Sequence, residues 1–90
     1  MEMRYRVEFY DGSVSDETLV NSFETASAPY RFAVGDFVDP FGWGGKNPLL
    51  PDEHYEITAV EHQLTLVDTP EDQQGQHNVV IAMKAVKRTN

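Results

Sequence analysis

Tyr55-Glu56-Ile57-Thr58-Ala59-Val60-Glu61-His62-Gln63-Leu64-Thr65-Leu66-Val67 is the stretch whose reading decides the fold. It is rich in β-branched and aromatic residues and contains neither glycine nor proline, so it predicts one long strand. Its alternation has a fault. Tyr55 and Ile57 share one parity, whereas Val60, His62, Leu64 and Leu66 share the other. A side-chain period of two cannot change phase inside a regular strand, so an extra residue, a bulge, is expected between Ile57 and Val60. Asp68 to Gln76 is polar and carries proline and glycine, which predicts a loop. His77 to Arg88 predicts the last strand. In it Val79, Ile81, Met83 and Ala85 alternate with Val80, Ala82, Lys84 and Val86, and the apolar residues on both faces of its first half mark a central strand.

Working outward, Met3, Tyr5, Val7 and Phe9 alternate with Arg4, Arg6 and Glu8, a half-buried first strand ended by Asp11-Gly12-Ser13. Residues 15–27 read as irregular or strand structure, the alternative being a short helix at about 15–26 capped by Ser13 or Ser15. Tyr30-Arg31-Phe32-Ala33-Val34 predicts an extended run with Phe32 and Val34 on one face, bent at Gly35-Asp36 and resumed by Phe37-Val38 until Pro40 stops it. Residues 39–53, DPFGWGGKNPLLPDE, form a long loop. Four or five short, bent, mainly antiparallel strands fit a small sheet closing on itself, so the expected fold is all-β, a strongly bent sheet or small barrel, in a single domain over residues 1–90.

Phe32-Ala33-Val34-Gly35-Asp36-Phe37-Val38 resembles the entry strand of SH3-like small barrels, and the following hairpin sits where such barrels have theirs. The resemblance spans residues 32–86 and implies shape alone, since this superfold hosts many functions. The peptide-binding SH3 signature is absent.

Ninety residues allow one core, burying about 60–65% of the unfolded chain's surface. The absence of cysteine excludes disulfide scaffolds, thiolate metal sites and cysteine nucleophiles. No apolar run reaches signal-peptide or membrane-span length, which predicts a small cytoplasmic protein with no membrane partner. The net charge of −8 argues against direct nucleic-acid binding. That charge is uneven. Residues 7–83 hold fourteen acids against Arg31 and Lys46, a net of −12, while the two ends carry +4. If the first and last strands pair, one edge becomes basic and the remaining surface acidic.

Gly42-Trp43-Gly44-Gly45-Lys46 lacks the spacing and the hydroxyl of a phosphate loop. Pro48-Leu49-Leu50-Pro51 matches PxxP without a flanking cation. Of the three histidines, His62 and His77 fall far apart if the hairpin loop runs Asp68–Gln76, because His62 then faces Ala82 and Val67 faces His77. No metal site or other cofactor is therefore expected. No nucleophile elbow appears either, so no enzyme is expected.

The expected function is binding. Tyr30, Phe41, Trp43, Leu49, Leu50 and Tyr55 are the candidate contact residues, because aromatic and apolar side chains in a glycine- and proline-rich loop make recognition anchors. The alternative for Trp43 is that it folds back to cap the barrel. The expected partner is a basic protein steered by the acidic surface. The alternatives are a phage-type acidic inhibitor or DNA mimic acting on a nucleic-acid-binding protein, and a structural subunit that pairs strand edges in a homo-oligomer.

Overall fold

The computed structural model describes residues 2–41, 43, 49–68 and 73–88. Five strands form one curled sheet: β1 (Glu2–Asp11), β2 (Leu19–Thr25), β3 (Phe37–Val38), β4 (Glu53–Asp68) and β5 (Gln73–Lys87), in the spatial order β2-β1-β5-β4-β3. The fold is all-β, a half-barrel, with β5 in the centre as its two-sided apolar sequence requires. The sheet has four strand pairings, mainly antiparallel as expected. Three are antiparallel, and β1 runs parallel to β5.

The region 15–27 holds a single 3₁₀ turn, Asp16–Thr18, followed directly by β2. The turn is held by Ser15 and Thr18, with the Ser15 backbone N–H donating to Thr18 Oγ1 at 3.1 Å. β-branched and aromatic residues at 20–25 then carry the chain into the sheet rather than into a helix.

Two expectations need correction. Residues 30–34 are not a strand. Gly35, at φ 95°, closes a tight turn in which the Asp36 N–H donates to the Ala33 carbonyl and Asp36 Oδ2 accepts from the Ala33 N–H, so only Phe37–Val38 pairs with β4. A positive φ at this turn position is open to glycine and strained for most residues. The final hairpin is also longer than expected. β4 and β5 pair from Asp68↔Gln73 inward, so Gln73-Gln74-Gly75-Gln76 belongs to a strand; the rest of the expected loop, residues 69–72, lies outside the described residues.

The phase fault in β4 is a bulge at Thr58. Ile57 pairs with Met83 and Ala59 with Ala82, leaving Thr58 extra. Its hydroxyl donates to the Ala82 carbonyl at 3.2 Å. The extra residue restores the phase, so Tyr55, Ile57, Val60, His62, Leu64 and Leu66 all project from one face.

The partner residues line up into rows across that face. Leu66, Gly75 and Met3 form one row; Leu64, His77, Tyr5 and Thr25 the next; then His62, Val79, Val7 and Phe23; then Val60, Ile81, Phe9 and Asn21; and finally Ile57, Met83 and Asp11. Val7, Phe9, Tyr55, Ile57, Val79, Ile81 and Met83 make the core. Val20, Phe32, Val38, Trp43, Leu49 and Val60 pack against it. Full burial of such side chains contributes roughly 1.5–3 kcal/mol each.

Candidate interaction surface

The candidate loop residues divide. Trp43 turns inward, its ring 4.9 Å from that of Phe9, with Phe32 edge-on to the same ring at 5.7 Å. This is the capping alternative. Leu49 is half-buried against the core, and Tyr55 has no exposed surface to offer a partner. Tyr30 and Phe41 stand free at 87% and 91% exposure, and Leu50 is also exposed. Tyr30 lines a shallow groove of about 430 Å³ with Phe32, Phe37 and Val38. The structure thus leaves Tyr30, Phe41 and Leu50 accessible and builds Trp43, Leu49 and Tyr55 into the fold.

Tyr55 carries a consequence of its burial. Loss of solvent, then the charge of Asp11 and a hydrogen bond to it, with Glu53 adding, pushes the phenol up to about 12. Its hydroxyl donates to Asp11 Oδ2 at 3.4 Å. A folded value above the unfolded value of about 10 means that the native state holds its proton more tightly. That stability is complete below pH 10 and is lost as the pH climbs through 12. Alkaline denaturation followed by circular dichroism should show stability falling across that window. The drop should be smaller in Tyr55→Phe, which has no proton to lose.

The basic ends do not meet. Because β1 and β5 are parallel, Arg4 lies opposite Gln76, whereas Lys84 lies just beyond Met83, the partner of Asp11. At ~3.3 Å per residue the two are ~25 Å apart along the sheet. The cations pair locally instead: Arg6 with Glu8 and Glu24, Lys84 with Glu56, and Arg88 with Asp39 at 2.7 Å. No basic edge forms, and pairs this exposed contribute little to stability.

The surface that the sequence reading passed over lies at the far end of the hairpin. The face that forms the core continues past it, through the rows of Leu64 and Leu66, where the covering layer of Phe32, Trp43 and Leu49 has ended. Leu64 and Leu66 are 65% and 62% exposed. Met3 lies over Gly75, where a Cβ would stand 2.8 Å from the Met3 sulfur and 3.3 Å from Leu66 Cδ2. His62 Nδ1 lies 2.8 Å from His77 Nε2 on the same face. The separation expected for these two histidines is therefore overturned, because the register that pairs Asp68 with Gln73 sets His77 opposite Leu64.

The outer edge of β4 is open beside this shelf. β3 pairs only with Tyr55 and Glu56, and Gly35 and Asp36 bond to Ile57. Beyond Ile57, among the described residues, no backbone bond reaches the outer side of β4. Residues 59–66 thus present about 26 Å of strand edge that no described residue pairs with. The signal available in the sequence was Leu64-Thr65-Leu66 itself, an alternation with no second apolar element to cover it.

Among the described residues no group of three or more histidine, cysteine or acidic side chains is arranged to hold a metal ion. No helix among them is long and apolar enough to cross a membrane. No protein-family model matches this chain, and no curated protein or solved structure matches it.

Proposed function

We propose that this chain is a non-enzymatic protein-binding module that receives an extended, basic segment of another protein along the outer edge of β4. One observation carries the reading: the apolar alternation of the core face runs on to Leu66 beside an unpaired strand, beyond the residues that cover it. An open edge binds a strand through its backbone, while alternate side chains set specificity on the adjoining face. Leu64 and Leu66 supply the apolar contacts. The net charge of −8 selects against a second copy, which would bring the same charge, and favours a cationic partner.

The exposure of Tyr30 and Phe41 favours a second reading, in which the partner docks on the loops at the opposite end. Selection of peptides from a random library against the full chain separates the two. Edge binding predicts selected peptides with alternating apolar residues interspersed with lysine or arginine. It also predicts amide shifts in residues 59–66 and affinity that falls with salt. Leu64→Lys combined with Leu66→Lys should weaken such peptides by about thirtyfold or more, the loss of one strong anchor. Shifts centred on Tyr30 and Phe41 would overturn edge binding in favour of the loops. Self-association through residues 59–66 would overturn it in favour of strand-edge assembly.

A further inference from the structure

His62 and His77 are diagonal neighbours on the uncovered face, His62 opposite Val79 and His77 opposite Leu64. Their ring centres are 5.0 Å apart, with His62 Nδ1 and His77 Nε2 facing each other at 2.8 Å. That is a hydrogen-bond length, with room for a single proton between the nitrogens. A neutral imidazole carries one N–H and one lone pair, so the bond couples the two rings. Either both carry the proton on Nε2, with His77 donating, or both carry it on Nδ1, with His62 donating. One added proton leaves the bond intact, because it goes to an outward nitrogen. A second makes both facing nitrogens donors, and the bond ceases to exist.

Nothing on this face offsets the charge that results. In the two rows that hold the pair, β1 contributes Tyr5 and Val7, β2 contributes Thr25 and Phe23, and the other members are Leu64 and Val79. Tyr5 is the one further titratable group there, its ring 5.7 Å from that of His77, and a phenol stays neutral across the range in which imidazoles titrate. The adjoining rows, of Leu66 and of Val60, hold no charged side chain among the described residues. Glu61 and Arg6, one position from His62 and Tyr5, project from the opposite face.

We propose that His62 and His77 are a proton-operated gate on the shelf beside β4, open to a cationic segment while the pair is neutral and hydrogen-bonded, and closed when double protonation parts the rings and sets two positive charges beside Leu64. The gate rests on the edge-binding reading and makes it conditional on pH. Imidazole is the side chain whose charge changes between pH 5 and 8. Strand register holds both backbones in place, so the rings part by side-chain rotation, and His62, exposed where His77 is half-buried, has the room to turn. The charged rings then stand where lysine or arginine side chains of the partner would lie, and like charges brought together oppose binding.

Two measurements test the gate. The first needs no partner: NMR of the full chain with nitrogen-15-labelled histidine. At pH 8 it should show His62 and His77 in one common tautomer, coupled across the Nδ1···Nε2 bond, and at pH 5 the coupling should be gone. Independent tautomers without coupling at pH 8, or coupling that persists at pH 5, overturn the gate. The second measures binding of an acetylated, amidated octapeptide of alternating valine and lysine, which has no group that titrates in this range. A unit charge ~4 Å away in water changes affinity about fivefold, so two charges, partly screened, should weaken the peptide about tenfold between pH 8 and pH 5. The loss should shrink in 1 M salt. The double variant His62→Gln with His77→Gln should bind within about twofold at both pH values, and its melting at pH 8 checks that it folds. His54→Gln, whose ring stacks on Phe37 at 4.4 Å near the other end of β4, should keep the parent's dependence. Equal affinity at both pH values, with amide shifts at residues 59–66, overturns the gate and leaves the edge reading standing. Absence of shifts at residues 59–66 at pH 8 overturns the edge reading and the gate with it.

Discussion

Trp43→Ala should lower the stability of this domain by about 3 kcal/mol, at the lower end of the range for removing a large aromatic ring from a core, because the indole is half-buried. Three aromatic neighbours surround Phe9: Trp43 at 4.9 Å, Phe32 at 5.7 Å and Phe23 at 6.3 Å. Removing the indole takes the closest of these and opens the core row of Val60, Ile81 and Phe9 to water. A chain of this size shifts its melting temperature by about 4–8 °C per kcal/mol, so the transition should fall by roughly 12–24 °C. The control is Phe41→Ala, two residues earlier in the chain and 91% exposed, which should change stability by no more than about 0.5 kcal/mol. Thermal unfolding of both variants by circular dichroism decides the matter. Equal, small effects would show that the tryptophan leaves the core in solution and stands on the surface as a contact residue.

The division between these two aromatics shows where sequence reading reaches its limit. The strands at 3–10, 55–67 and 77–88 were legible because their alternation is local, and the bulge was legible because a period of two cannot slip without an extra residue. The direction of Trp43 was not, because a glycine- and proline-rich segment places a side chain by tertiary contacts that leave no periodic trace. The histidine pair was missed for a different reason. The register of a hairpin is fixed by its turn, and counting residues 73–76 as loop moved every cross-strand partner of β5. Gln73-Gln74-Gly75-Gln76 has low strand propensity, yet pairing with β4 on one side and with β1 on the other draws it into the sheet. The parallel direction of β1 likewise depends on long-range closure. It was enough to separate two basic ends that a local reading had placed together.

Ile81→Lys should destabilise the protein by more than about 4 kcal/mol, whereas Leu64→Lys, on the same face, should stay within about 0.5 kcal/mol of the parent. Ile81 has no exposed surface and sits on the central strand between Phe9 and Val60. A lysine there has no buried carboxylate to meet, since no buried polar or charged residue lies among the described core, and an unpaired buried charge costs several kcal/mol. Domains of this size have only about 5–15 kcal/mol in total, so much of the Ile81→Lys population should be unfolded at room temperature. Leu64 lies two rows away, opposite His77 and 65% exposed. Its replacement removes little buried area, and the lysine reaches water directly. Urea titrations of the two variants measure the contrast. Its size measures something the alternation alone could not: where along one continuous apolar stripe the protein stops using it to fold. If Leu64→Lys were as damaging as Ile81→Lys, the far rows would be buried in solution and the β4 edge would not be free for a partner. A large difference assigns the stripe two uses, with the core up to the row of Val79 and a shelf for binding beyond it.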